Sequence, residues 1–329
     1  MDIISVENII NRVFNVSHYD FDNLAIEIFR FQYQHNSLYK AFCESLSVNP
    51  ATVNSIEQIP FLPISFFKTH SIKTTAFTPE VIYESSCTTG DIPSRHMVKS
   101  RDVYKQSFLK GFSHFYGEPS SYCIIGLLPS YLERQSSSLV DMVNDLVNLS
   151  KHERSGFYLY DTQKLHDTIL KNEDEYQPTL LIGVTYALLD FAEQFPMELK
   201  HTIVMETGGM KGRKAEVTRA EVHDILKKQL GIPNVHSEYG MTELLSQAYS
   251  SGEGIFETPP WMKILLRATD DPFDLVVTNG AVNIIDLANL YSCAFIATDD
   301  TGLRRDKNKF EITGRLDNSD IRGCSLMSL

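Results

Sequence analysis

The segment Ser85-Ser86-Cys87-Thr88-Thr89-Gly90 gathers hydroxyls, a thiol and a glycine into one short run. Side chains of these types compete with the backbone for hydrogen bonds and make a poor helix or strand. They suit a loop whose N–H groups and hydroxyls wrap phosphate oxygens, and they equally suit an ordinary Ser/Thr turn. No Gly-Lys-Ser/Thr follows, so the loop is not of the Walker type. In Glu238-Tyr239-Gly240-Met241-Thr242-Glu243, Tyr239 offers a flat face to a base and Thr242 a hydroxyl to a phosphate. Glu243 offers a hard oxygen to Mg²⁺; the alternative is a helix start capped by Thr242. Thr207-Gly208-Gly209 lets a ligand approach the backbone closely, or makes a tight turn. Thr298-Asp299-Asp300-Thr301-Gly302 places acids where a ribose diol could be held, or is a hairpin turn. Near the C-terminus, Cys324 follows Arg322, which favours a partly ionised, nucleophilic thiol; a cysteine packed at a strand end is the alternative.

These stretches need a scaffold, and the hydrophobic pattern predicts one. Helical spacing dominates residues 1–50, and two prolines make 59–70 an extended connector. Between about 80 and 240, short apolar runs alternate with amphipathic segments. Strands are predicted at 81–83, 122–128, 157–160, 179–182, 201–205 and 235–236. Ser100 is placed to cap the helix after it, and Thr218-x-x-Glu221 reads as a capping box for a helix stopping at Gly231. Such alternation argues for a mostly parallel sheet with helices on its faces. Beyond about 255 the pattern turns to antiparallel strands. Asn279-Gly280 is predicted as a hairpin turn between a strand at 274–278 and one at 282–285. The expected division is a helical segment over 1–75, an α/β nucleotide-binding core over 76–255 and an antiparallel unit over 256–329.

Composition sets the outer limits. The 329 residues are 43% hydrophobic and 22% charged, which excludes a disordered chain. The net charge of -12 makes a nucleic-acid backbone an unfavourable partner. Five cysteines without a C-x-x-C pair argue against a disulfide framework or structural zinc. No secretory leader and no membrane span are expected, and cytoplasmic residence is the default.

In order and spacing, the motifs resemble those of the adenylate-forming superfamily of acyl-CoA synthetases, luciferases and non-ribosomal adenylation domains. Ser85 to Gly90 is similar to its phosphate loop and Gly208-Gly209 to its adenine-side glycine pair. Tyr239-Gly240-Met241-Thr242-Glu243 matches its Y-G-x-T-E motif, Thr298-x-Asp300-x-Gly302 its T-G-D-x-G motif and Gly314-Arg315-x-Asp317 its G-R-x-D hinge. Within the superfamily the short length, the run at 127–139 and the stretch Arg-Gly-Cys-Ser-Leu at 322–326, near the C-terminus, resemble the acyl-protein synthetase family, which includes the long-chain-fatty-acid–luciferin-component ligase.

The resemblance implies an α/β adenylate-forming N-terminal-domain fold that lacks the large C-terminal lid and its lysine. It implies ATP and Mg²⁺ as cofactors. A fatty carboxylic acid would become acyl-AMP, and the acyl group would then pass to Cys324 for delivery to a reductase partner. On the same grounds Ser85, Ser86, Thr88, Thr89 and Gly90 would hold phosphates. Gly208, Gly209, Met210, Tyr239, Gly240 and Met241 would hold the adenine side. Thr242 and Glu243 would act in catalysis, with Glu243 on the metal, and Asp300 and Arg315 would hold the ribose. Met210 and Met241, with Tyr131 and Leu132, are also candidates for an acyl pocket, although core packing explains such residues as readily. Two departures stand out. Cys87 replaces the usual glycine, and Ser94-Arg95 replace the usual lysine after Pro93, leaving Arg95, Arg315 and Arg322 as candidate cations. Coenzyme A as acceptor, or a silent nucleotide-binding subunit of a reductase, are the alternatives.

Overall fold

The computed structural model describes residues 3–86, 92–128, 136–208, 218–275, 278–306 and 308–316. The chain opens with helices α1 (Ile3–Val13), α2 (Phe21–His35) and α3 (Ser37–Ser45). Phe21, Leu24, Ile28 and Phe29 bury one face of α2, as helical spacing dictates. The connector holds a two-residue strand β1 (Leu62–Pro63) and a short helix α4 (Phe66–Thr69), so it is only partly extended.

Strands β2 (Val81–Glu84) and β3 (Arg95–Val98) pair antiparallel as a separate two-stranded sheet. The Ser/Thr-rich loop joins them, so a strand, and not the expected polar turn alone, separates it from helix α5 (Arg101–Tyr116). Ser100 occupies the N-cap position of α5, but its side chain makes no capping bond.

The core follows as β4 (Cys123–Leu127), α6 (Ser138–Ser150), β5 (Gly156–Phe157), α7 (Thr162–Asp174), β6 (Thr179–Val184), α8 (Thr185–Gln194), β7 (Thr202–Thr207), α9 (Arg219–Leu230) and β8 (His236–Tyr239). β5, β4, β6, β7 and β8 lie side by side and parallel, which explains why β4 and β6 are buried along their whole length. The capping box of Thr218 and Glu221 is formed, and α9 ends at Gly231 with φ 62°, in the left-handed region.

From β8 the same sheet continues antiparallel through β9 (Ala248–Ser250) and β10 (Phe256–Glu257). The strands β11 (Met262–Arg267), β12 (Asn279–Asp286), β13 (Phe295–Asp306) and β14 (Lys309–Arg315) complete it, with β14 against β10. β1 adds to β13 in parallel, so the N-terminal segment contributes to the sheet. Among the described residues the sheet has twelve strands.

Two turn expectations fail. Asn279 and Gly280 are not a hairpin turn: they are the first residues of β12, paired with Leu303 and Gly302. Of the strand expected at 274–278, residues 274, 275 and 278 are not in a strand. Thr298–Gly302 is likewise no turn but the middle of the twelve-residue β13. In both places cross-strand pairing outweighs the local turn preference of Asn, Asp and Gly.

The N-terminal helices are tied to this sheet by buried hydrogen bonds. Gln32 of α2 donates to the carbonyls of Asn289 and Leu290 at 2.9 and 3.0 Å and accepts from the Ala294 N–H at 3.0 Å. Asn36 donates to the Ser292 carbonyl at 3.1 Å. Among the described residues no helix is long and apolar enough to cross a membrane.

Candidate functional site

A cleft of about 890 Å³ opens at the C-terminal ends of β7 and β8, where the parallel part of the sheet meets β13 and β14. Strand ends of this kind leave backbone groups and side chains facing outward for a ligand. Ser85 and Ser86, the run Tyr239 to Glu243, Asp300 and Arg315 all line it. Gly208 follows β7 directly and is half-buried, but it does not line the cleft. Thr88, Thr89, Gly90, Gly209, Met210 and Cys324 lie outside the described residues, as do Cys87, Tyr131, Leu132, Asp317 and Arg322.

Each wall is fixed by identifiable bonds. The Ser85 N–H donates to the Ser94 carbonyl at 3.0 Å, and the Ser94 N–H donates to Ser85 Oγ at 2.9 Å. These bonds cross the mouth of the β2–β3 loop. The hairpin is pinned to α6, because the Tyr83 hydroxyl donates to Asp141 and Arg101 holds the same carboxylate bidentately. Arg101 also reaches Asp145 at 3.0 Å.

The opposite wall is the β13–β14 pair. Asp300 stands across from Arg315 in the strand register, with Arg315 Nε 3.7 Å from Asp300 Oδ1. Arg315 Nη2 donates to Asp299 Oδ2 at 3.3 Å. The Tyr239 hydroxyl donates to Asp300 Oδ2 at 2.8 Å, and its ring rests against Phe256 and Phe310. The aromatic packing fixes the ring plane, and the hydroxyl fixes its rotation.

The Thr242–Glu243 stretch is held from behind by groups that do not line the cleft and that the sequence did not mark as functional. Buried His96 lies with Nδ1 2.8 Å from the Thr242 carbonyl. Burial pushes its pKa down to about 4, so the ring is neutral and Nδ1–H is the donor. On the other side, Asn289 donates to the Glu243 carbonyl at 2.7 Å. The peptide between Thr242 and Glu243 is thus held from two directions. One of those holders, Asn289, is itself gripped by Gln32 of α2. Asp286 continues the clamp by accepting from the backbone N–H groups of Leu245 and Ser246.

Two neighbouring carboxyls have opposite characters. Burial would raise the pKa of Glu206, but His223 and Arg219 overcome it and hold the group near 2. Glu238 pairs with Thr207 in the strand register, one residue along from the Glu206–Ser237 pair, and lies within the cleft. Burial, aided by the Glu206 charge, pushes it up to about 7. The only sequence signal for Glu238 is its place next to Tyr239; His96 has none beyond its place in a short apolar strand.

Glu84, Glu238, Glu243, Asp299 and Asp300 line this cleft against Arg315 as the one basic lining residue among those described. Such a wall repels a bare triphosphate and accepts one carrying a divalent cation. No group of three or more His, Cys, Asp or Glu side chains among the described residues is arranged to hold a metal alone. Glu243 with the hydroxyls of Ser85, Ser86 and Thr242 fits a cation whose other ligands are phosphate oxygens.

Comparison with known proteins agrees with this architecture. Residues 15–115 match the family described as acyl-protein synthetase, LuxE. A malonyl-CoA ligase, solved as a ternary product complex with methylmalonyl-CoA and AMP, is similar at 17% identity and TM-score 0.51, covering 74% of this chain and 54% of that one. Apo MatB from Rhodopseudomonas palustris is similar at 16% identity and TM-score 0.51, over 74% of this chain and 50% of that one. O-succinylbenzoate coenzyme A synthetase from Bacillus subtilis, in complex with ATP and magnesium, follows at 15% identity and TM-score 0.50, over 71% and 49%. The chain spans about half the length of these structures, and at such identities the likeness is one of fold. No curated protein matches it.

Proposed function

From the acyl-protein synthetase match over residues 15–115 and the adenylate-forming ligase fold as premise, we propose that this protein activates a carboxylic acid with ATP. A carboxylate oxygen of the substrate attacks the α-phosphorus of ATP. The bond from that phosphorus to the bridging oxygen breaks, and pyrophosphate leaves with the electron pair. The product, acyl-AMP, is a strong acyl donor. A thiolate then attacks its carbonyl carbon and expels AMP, leaving a thioester. Cys324 is the proposed thiol, and a reductase is the proposed recipient of the acyl group. Coenzyme A is the other acceptor the chemistry allows.

The observation that supports this reading is the convergence of Ser85–Ser86, Tyr239–Glu243 and Asp300–Arg315 on one cleft. These groups come from three distant stretches of sequence and have the chemistry of phosphate, base and ribose binding. Tyr239 and the backbone at Gly240 would face the adenine, Asp300 the ribose diol, and Ser85, Ser86 and Thr242 the phosphates. Magnesium, held by Glu243 and by phosphate oxygens, would offset the charge that gathers on the leaving pyrophosphate. Positioning two anions against each other is the main task of the chain's own residues, and such positioning supplies about 7–11 kcal/mol in favourable cases.

The test is carboxylate-dependent ATP–pyrophosphate exchange. Wild-type protein is expected to catalyse it and Glu243→Ala to lose it. Cys324→Ser should keep the exchange and lose acyl label from the protein. Thioester formation that survives Cys324→Ser when coenzyme A is supplied assigns the acceptor role to coenzyme A.

A further inference from the structure

Glu238 lies among the groups that line the cleft, yet neither the phosphate side nor the ribose side uses it. It is 7% exposed. One carboxyl oxygen, Oε2, accepts from the Thr207 hydroxyl at 2.5 Å. No other hydrogen bond between described residues reaches the carboxyl. Gly240 leaves room for the second oxygen, since a Cβ at that position would sit 2.4 Å from Oε1. The wall of the same cleft is mixed. Leu139, Met142 and the Tyr104 ring line it as apolar surface, while Gln247, next to Gly240, adds a second buried polar side chain.

A plain alkyl chain seated here would strip water from Glu238 and Gln247 and return no partner. A buried polar group left without a partner costs as much as a hydrogen bond or more. A site built to bond a substrate group therefore rejects the analogue that lacks it. We propose that the carboxylic acid activated in this cleft bears a hydrogen-bond donor on its chain, a hydroxyl or an amine, and that Glu238 is the specificity-determining residue that accepts from it. The proposal rests on the acid-activation reading above and specifies its substrate class. It sets aside an unsubstituted fatty acid as the preferred substrate.

The experiment is ATP–pyrophosphate exchange by the full chain with three matched series of acids of increasing length: unsubstituted, hydroxy-substituted and amino-substituted. Wild-type protein is expected to show at least about a tenfold higher kcat/KM for one substituted series than for the unsubstituted acids. Glu238→Leu should lower activity with the substituted acids and raise it with the unsubstituted ones. Glu238→Gln, which still accepts a hydrogen bond but never ionises, should keep a preference for hydroxy-acids and lose the preference for amino-acids that wild type shows above about pH 7, where Glu238 carries its charge. The shift of Tm on adding Mg-ATP, measured for each variant, shows whether it is folded and binds nucleotide. Unsubstituted acids that react best in wild type, with a substrate ranking unchanged in Glu238→Leu, would overturn the proposal and leave Glu238 a structural partner of Thr207. Exchange with no acid of any series is a different result: it removes the activation reading and this proposal with it.

Discussion

One imidazole holds the peptide that carries Thr242 and Glu243, and its effect can be separated from packing. A carbonyl only accepts, so the His96–Thr242 bond needs a donor at Nδ1. Asparagine puts an amide N–H near the same place; leucine does not. His96→Leu is expected to lower kcat/KM for ATP by about tenfold or more, as an orphaned carbonyl costs ~1–3 kcal/mol. His96→Asn should retain most of the activity, and an equal loss in both variants would reduce the ring to a packing role. The pH dependence of stability adds two signs. Folded His96 stays neutral down to about 4, while an ordinary histidine takes a proton below 6.5. Stability therefore falls as pH drops through that window, by on the order of 3 kcal/mol. Folded Glu238 keeps its proton to about 7, against 4.5 for an ordinary glutamate, so its contribution is lost as pH rises between those values. Measured as Tm against pH, His96→Asn should flatten the acid limb and Glu238→Gln the neutral limb.

At the scale of elements, the proposed ribose wall depends on how closely β13 and β14 approach. Gly302 of β13 sits where a Cβ would lie 2.8 Å from the Glu311 carbonyl and 3.0 Å from Val282 Cγ2. The first neighbour is backbone and has little freedom to yield. Gly302→Ala is expected to push the strands apart and cost about 1–3 kcal/mol, the usual range for overpacking. Because Asp300 and Arg315 face each other just beyond that point, KM for ATP should rise as Tm falls. A variant that loses stability with an unchanged KM would detach the wall from the register of this pair. The N-terminal helices belong to the same scale: α2 reaches the site through Gln32, Asn289 and the Glu243 carbonyl in succession.

Across the whole molecule, burial sorts the thiols. Cys43, Cys123 and Cys293 are buried, and desolvation raises all three, Cys43 and Cys293 to about 12. Iodoacetamide at neutral pH should leave these three unmodified in the native protein and reach them only in denaturant, as read by mass spectrometry of peptides. Labelling of Cys293 in the native state would contradict the packing of β13 against the N-terminal helices.

Much of this architecture was legible from residue order alone. The strand–helix alternation and the capping box of Thr218 and Glu221 could be read because they are local, set by neighbours within a few positions. The glycine, hydroxyl and acid clusters could be picked out by residue type, but that Ser85, Ser86, Tyr239 to Glu243, Asp300 and Arg315 share one cleft could not. Asn279-Gly280 shows the limit: its turn preference is genuine, but partners at Leu303 and Gly302 hold it in a strand. His96 and Thr242 stand 146 residues apart, and Gln32 and Asn289 257 apart, so no periodicity connects them. Only the tertiary structure decided that Glu206 is ionised while Glu238, on the adjacent strand, keeps its proton up to about 7. The two side chains are chemically identical. What separates them is the placing of Arg219 and His223 beside one, and for the other burial that the Thr207 hydroxyl only partly offsets, next to the Glu206 charge; charge in a buried site follows distance rather than sequence.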